Sequence, residues 1–162
     1  MKTSSKTFTW SNPTEALAES SRLSGFEVLE AMRDRTLPPP PMAVLINCEI
    51  LEVAPGRVVF DCSPGEEHYN PLGTVHGGLM CTLLDTVLGC AAHTTLGPGV
   101  GYTSIDIKVS FLRPVTLLSG ALTATGNVTK AGKRVIFTEG AVVNEYGELV
   151  ATATSSLLVL SP

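Results

Sequence analysis

The stretch His76-Gly77-Gly78-Leu79-Met80-Cys81-Thr82-Leu83-Leu84-Asp85 runs on through Val87, Leu88, Cys90, Ala91 and Ala92 to His93 with one formal charge, the carboxylate of Asp85. From Leu79 onward it is apolar nearly all round, the pattern of a helix that protein surrounds on every side rather than on one face. An ionised, unpaired Asp is costly to bury, so Asp85 must be paired, opened to a cleft, or used. The remainder of the chain reads as the casing of this helix.

The casing is legible in order. Residues 1–11 are expected to be loose, and Asn12-Pro13-Thr14-Glu15 has the form of a helix start, with Asn as cap and Pro at the first helical position. Ser24-Gly25-Phe26-Glu27 gives a capping box, after which Phe26, Leu29 and Met32 form an apolar stripe towards Arg35. Pro38–Pro41 ends that helix. It reads as a stiff connector between a helical arm, 1–41, and a main body, 42–162; the other reading is a ligand for a proline-reading domain.

Strands are predicted over Ala43–Val53 and Arg57–Cys62, joined at Ala54-Pro55-Gly56 as a hairpin. A loop, Ser63–Val75, carries His68, Asn70 and Gly73 into the central helix, which is predicted to end near Leu96-Gly97-Pro98-Gly99. In Ser104–Phe111, Ile105, Ile107, Val109 and Phe111 alternate with Ser104, Asp106, Lys108 and Ser110, which predicts one buried and one polar face. Strands at Leu117–Thr129, Lys133–Asn144 and Glu148–Leu160 follow. One long apolar helix among consecutive antiparallel strands places the chain in the α+β class, with a strongly curved sheet wrapped about the helix.

At 162 residues the chain has the size of one domain. Its residues are 44% hydrophobic and only 16% charged, which leaves more apolar surface than one small core needs and predicts an oligomer. A net charge of -4, with no basic run longer than Lys133-Arg134, gives no footprint for nucleic acid or an anionic membrane. The four cysteines, Cys48, Cys62, Cys81 and Cys90, show no CxxC spacing and fall in apolar segments, so neither a metal site nor a disulfide framework is expected. Met1–Lys6 is polar and leads into no apolar run of signal-peptide length, so the expected compartment is the reduced cytoplasm. Val75–Leu96 contains Gly77, Gly78, Asp85 and Gly89 and lacks basic flanks, and is read as a core helix rather than a membrane span.

Two glycines at the start of a helix let a ligand approach the backbone. Free N–H groups there, with the helix dipole behind them, favour an oxyanion such as an acyl-transfer intermediate. The same glycines also serve as a tight turn with close helix packing. Asp85 lies eight residues beyond Gly77, about 12 Å along a helix, so the two cannot grip one carbonyl from the same chain. If both serve one reaction, they come from different subunits; otherwise Asp85 is a structural carboxylate bonded to a neighbouring strand. His76 is either a donor to Asn70 or a leaving group, or a capping residue, and His68 and His93 read as packing. Lys130, Lys133 and Arg134 flank a glycine turn and Arg113 precedes a proline, so each is either a phosphate contact or a solvated charge.

The run His68-Tyr69-Asn70-Pro71-Leu72-Gly73-Thr74-Val75-His76-Gly77-Gly78, with Asp85 nine residues after His76, and the later Ser104-Ile105-Asp106-Ile107-Lys108-Val109-Ser110-Phe111-Leu112-Arg113-Pro114, resemble the phenylacetate-pathway (PaaI-like) type of hotdog-fold acyl-CoA thioesterase. The likeness covers about residues 42–160. It implies a helix wrapped by an antiparallel sheet, dimers that pair into a homotetramer, and active sites at the dimer interface. It also implies hydrolysis of an acyl-CoA to free acid and coenzyme A, with coenzyme A as part of the substrate and no separate cofactor or metal.

By position, the resemblance makes Asp85 the nucleophile or the base that activates water, and Gly77 N–H with Asn70 the groups that polarise the thioester carbonyl. It makes His76 a support for that pocket or for the departing thiolate, and Ser104 a residue that positions the water or Asp85. Gly78 lines the substrate site, and Arg113, Lys133 and Arg134 face the phosphates of coenzyme A. A thioester carbonyl is electrophilic enough for one carboxylate and an oxyanion site to suffice. Two other readings stay open: a hotdog enoyl-CoA hydratase or dehydratase using His76 with Asp85, and a non-catalytic acyl-CoA-binding module. Leu83, Val87 and the N-terminal arm are the candidates for facing the acyl group.

Overall fold

The computed structural model describes residues 2–160; Met1, at the start of the arm, and Ser161 and Pro162, at the end of the body, lie outside the described residues. Two capped helices open the chain. In α1 (Pro13–Ser20) the Asn12 side chain accepts the Thr14 N–H at 3.0 Å. In α2 (Gly25–Arg33) the Ser24 hydroxyl accepts the Glu27 N–H at 3.3 Å, while the Glu27 carboxylate accepts the Ser24 N–H at 2.7 Å. That reciprocal pair is the predicted capping box.

The proline run starts structure as well as ending it. Pro40 and Pro41 occupy the cap and first positions of α3 (Pro41–Leu45), where a missing N–H is no loss and the fixed φ suits a helix. The first strand therefore begins at Cys48 rather than at the predicted Ala43, after Asn47 turns the chain at φ +54°. Strands β1 (Cys48–Ala54) and β2 (Arg57–Cys62) then form the expected hairpin, paired from Cys48 against Cys62 to Ala54 against Arg57 with a bulge at Leu51.

Helix α4 (Gly77–His93) follows. It stops short of the predicted Leu96 because the hydroxyls of Thr94 and Thr95 donate to the carbonyls of Ala91 and Ala92, at 2.6 and 2.7 Å, and close the last turn. Four long strands complete the chain: β3 (Gly101–Phe111), β4 (Leu122–Ala131), β5 (Val135–Val143) and β6 (Leu149–Leu160). The predicted strand from Leu117 starts five residues late, because Leu117–Ser119 forms one tight turn capped by Thr116.

All pairings are antiparallel, in one six-stranded sheet of order β1-β2-β4-β5-β6-β3. The sheet curves around α4, the arrangement that the hotdog resemblance implies. Leu83, Leu84, Val87 and Leu88 of the helix are fully buried against Val58, Leu122, Val142 and Ala151 of the strands. At about 1.5–3 kcal/mol for each large apolar side chain, this contact is the main source of stability. The helix lies so close that Gly126 of β4, paired with Gly140 of β5, has no room for a side chain; a Cβ at Gly126 would run into the Val87 carbonyl.

The helix is not enclosed on every side, as its composition suggests. Gly78, Thr82 and Asp85, at i, i+4 and i+7, form a stripe at the surface, with Gly78 and Asp85 exposed and Thr82 half-buried. The sheet's edges are β1 and β3, and β3 reaches the stripe at Ser104, whose hydroxyl donates to Asp85. The arm covers only the other half: α2 packs on β1 and α4, and the Gly25 N–H donates to the Leu96 carbonyl at 3.0 Å.

Candidate active site

At the start of α4, His76 is the cap. Its Nδ1 accepts the Gly78 N–H at 2.8 Å, which leaves the ring proton on Nε2. The Gly78 N–H is therefore already used. The Gly77 N–H, at the first helical position, makes no hydrogen bond among the described residues and lies at the positive end of the helix dipole. The Phe111 ring sits over it, with ring carbons 3.2 and 3.3 Å from where a Gly77 Cβ would be. Gly77 is thus a donor in a small space with an aromatic wall.

Eight residues on, the Asp85 carboxylate accepts the Ser104 hydroxyl at 2.8 Å. Strict alternation along β3 puts Ser104 on the outer face, opposite Ile107 and Val109. The strand instead carries a bulge at Ile105: Ser104 pairs with Leu157 and Asp106 with the next residue, Ser156. The extra residue changes the phase of the pleat. Ser104 faces the helix before the bulge, Ile107 and Val109 join the core after it, and Ile105 is left 58% exposed. Phe111 is 57% exposed, so the predicted buried face holds only in part.

Asn70 is held by its own loop. Its Oδ1 accepts from the N–H groups of Leu72 and Thr74, at 2.9 and 3.3 Å, and one amide hydrogen donates to the Thr74 hydroxyl at 2.9 Å. One amide hydrogen remains for a ligand. That loop is tied to the segment after β3 by Val75 N–H to Val115 carbonyl, 2.8 Å, and by Leu117 N–H to the Tyr69 hydroxyl, 2.8 Å. Tyr69 and Phe111 therefore shape the Gly77 end, and neither carries a charge or motif that would single it out in the sequence.

His68 accepts the Gly65 N–H at Nδ1, 2.9 Å, and its Nε2 lies 3.3 Å from the Leu45 carbonyl, so it is a loop residue. His93 packs against Tyr102 with ring centroids 5.5 Å apart and the planes tilted by 52°, and burial pushes its pKa below the usual imidazole value. Burial, with smaller contributions from the Cys48 thiol and the Asp85 carboxylate, pushes the Cys90 thiol up to about 12. Burial likewise pushes Cys48 and Cys62 to about 12, so these three thiols stay protonated and inert.

The predicted phosphate contacts do not share one place. Arg113 follows β3 at the Gly77 end and lies 3.5 Å from Glu148. Lys133 and Arg134, both exposed, lie in the β4–β5 turn at the opposite end of the sheet, where β5 begins beside the end of β6. Among the described residues no three His, Cys, Asp or Glu side chains converge as metal ligands, and no helix is long and apolar enough to cross a membrane.

Residues 72–151 match the Thioesterase superfamily. Acyl-coenzyme A thioesterase 13 of Homo sapiens is 35% identical over 111 residues, which are 67% of this chain and 76% of that protein. Among solved structures, a phenylacetic acid degradation-related protein of Ralstonia eutropha JMP134 superposes with a TM-score of 0.74 at 28% identity, over 80% of this chain and 98% of the other. The PaaI protein of the E. coli phenylacetic acid degradation operon has the same fold, with a TM-score of 0.74 at 22% identity over 85% and 94% of the two chains.

Proposed function

The chain belongs to the thioesterase superfamily and is a thioester hydrolase, and from that premise we propose that it cleaves acyl-coenzyme A to free acid and coenzyme A at sites shared by two subunits. The observation that carries the reading is the Asp85 carboxylate, held by Ser104 on the open stripe of α4, together with the unengaged Gly77 N–H one stretch of helix away. In each site Asp85 of one chain works opposite Gly77 of the partner subunit.

The Gly77 N–H and the spare amide hydrogen of Asn70 take the charge that develops on the carbonyl oxygen. Asp85 acts as nucleophile or as the base that removes a proton from attacking water. Where water attacks, Asp85 takes its proton, the tetrahedral intermediate expels the thiolate to leave the acid, and that proton passes to the thiolate. Where Asp85 attacks, loss of the thiolate leaves an acyl–Asp85 anhydride, which a water then hydrolyses to the free acid and the regenerated carboxylate. Coenzyme A enters as part of the substrate, and the chemistry needs no other cofactor. Arg113 and the pair Lys133 and Arg134, at opposite ends of the sheet, meet the same phosphates only if two chains bring those ends together.

The free edge of β3 supplies a surface for that pairing. Ile105, Phe111 and Leu112 are 58, 57 and 50% exposed along it, more apolar edge than a solitary chain leaves open. We assign β3 to the dimer contact and two such dimers to a tetramer, working in the cytoplasm.

His76 argues for hydrolysis over hydration. With Nδ1 accepting from Gly78 and the proton on Nε2, it offers no free nitrogen to remove a proton from an α-carbon. The test is thiol release from short-chain, long-chain and aromatic acyl-CoAs by the wild type and by Asp85→Asn, with enoyl absorbance followed in parallel. The expected result is thiol release that falls on the order of 10²-fold or more in Asp85→Asn with the circular dichroism unchanged. Near-normal turnover in that variant removes Asp85 from the chemistry. A change in enoyl absorbance without thiol supports the hydratase, and saturable binding without turnover supports the binding module.

A further inference from the structure

The arm roofs the C-terminal half of α4, and Gly25 fixes how closely it docks: a Cβ there would collide with the His93 carbonyl and ring. Beneath the roof lie two cavities of about 510 and 580 Å³ that share a wall of Met32, Leu37 and Pro38–Pro40. Both sizes fall within the range of about 300–1,000 Å³ typical of small-molecule sites. The first is floored by Thr86 and Cys90 of α4, with Ile50 and Phe60 of the hairpin behind them. The second reaches His93 and Tyr102.

The first cavity meets α4 at Thr86, the residue after the carboxylate, whereas the second meets it only at His93, two turns further on. At about 100° of rotation per residue, Asp85, Thr86, Cys90 and His93 lie within about 140° of one another around the helix axis. Burial is the main cause that raises the Cys90 thiol and the Tyr102 phenol at the two floors, with the Asp85 charge the smallest contributor. The floors are uncharged. The ionic side chains that line the first cavity are Arg33, Arg35, Glu49 and Asp61; Arg35 pairs with Glu49 at 3.0 Å and Arg33 with Asp34 at 2.9 Å, while burial and the Glu49 charge raise the Asp61 carboxyl. Leu83 and Val87, the other candidates for facing an acyl group, are fully buried in the core and offer no such space.

Resting on the acyl-CoA reading above, we propose that the cavity over Thr86 and Cys90 receives the hydrocarbon acyl chain of the thioester, and that α2 with Pro38–Pro40 sets the chain length accepted. The carboxylate then meets the thioester carbon at the open half of the helix while the tail runs under the arm. The arm is thereby a specificity element of this chain and not only a support.

Met32 lines both cavities, so its size controls them together. The experiment measures kcat/KM of the wild type, Met32→Trp and Met32→Ala with acetyl-, octanoyl-, palmitoyl- and phenylacetyl-CoA, with circular dichroism melts alongside. We expect the ratio of palmitoyl to acetyl kcat/KM to fall about 10-fold or more in Met32→Trp and to rise in Met32→Ala. If Met32→Trp fails to fold, the rise in Met32→Ala carries the test by itself. An unchanged ratio in every folded variant, with the wild type active, overturns the acyl-chain assignment alone. A wild type that releases no thiol from any of the four esters overturns the acyl-CoA reading, and this one with it.

Discussion

Ser104 reaches Asp85 only because β3 carries one extra residue, and the contact is worth more than its single hydrogen bond suggests. A hydrogen bond to a charged group contributes about 1.5–3 kcal/mol, and this one also fixes where the carboxylate points. Ser104→Ala is expected to lower kcat about 10- to 100-fold with little change in KM, and Ser104→Thr to recover part of it; steady-state kinetics on one acyl-CoA checks both. A fall confined to KM contradicts the positioning role. His93 gives a separate prediction at this scale. Burial holds its folded pKa below the unfolded value of about 6.5, so as pH falls below that value the unfolded chain takes up a proton that the folded chain does not. Stability therefore drops on the acid side, and the loss of Tm between about pH 7.5 and pH 5.5 is expected to be smaller in His93→Phe than in the wild type. Equal losses would show that His93 does not carry the effect. Of the candidate site residues, Gly77, Asp85 and His76 stand out in the sequence by type and spacing, whereas Asn70 and Ser104 are candidates only by resemblance. The inward direction of Ser104 depends on a bulge, which no alternation pattern announces.

The elements are set by caps, glycines and closure more than by propensity. Asn12 and Ser24 start α1 and α2 where the sequence says, because a side-chain acceptor at a helix start has a short-range effect that needs no tertiary context. The proline run and the run from Ala43 misdirect, because Pro-Pro followed by apolar residues serves a helix start as well as an extended connector. The helix α4 is legible as the centre of the fold, but its open stripe is not: glycine and threonine count as neutral in an apolar tally, and only the spacing Gly78-Thr82-Asp85 betrays a face. Gly126 shows how tightly that helix is held. Gly126→Ala puts a methyl against the Val87 carbonyl and should cost about 1–3 kcal/mol, or a Tm lower by several degrees, in thermal unfolding. An unshifted Tm would mean that sheet and helix have more freedom to part than their spacing indicates.

At the scale of the whole molecule, the features that look incomplete in one chain fall together. Gly77 at the start of α4 and Asp85 at its middle are about 12 Å apart, the cations sit at both ends of the sheet, and β3 leaves an apolar edge uncovered. Two chains joined along that edge can supply what one lacks. The sharpest measurement is subunit complementation between Asp85→Asn and Gly77→Pro, each inactive by itself; the second removes the N–H at a helix position that tolerates proline. If each site takes Asp85 from one chain and Gly77 from the other, a mixed dimer has one intact site. Co-expression of the two variants should then restore acyl-CoA thiol release to roughly a quarter of the wild-type rate, with half the dimers mixed and half their sites whole. Activity no greater than the average of the two variants measured separately would contradict the shared site.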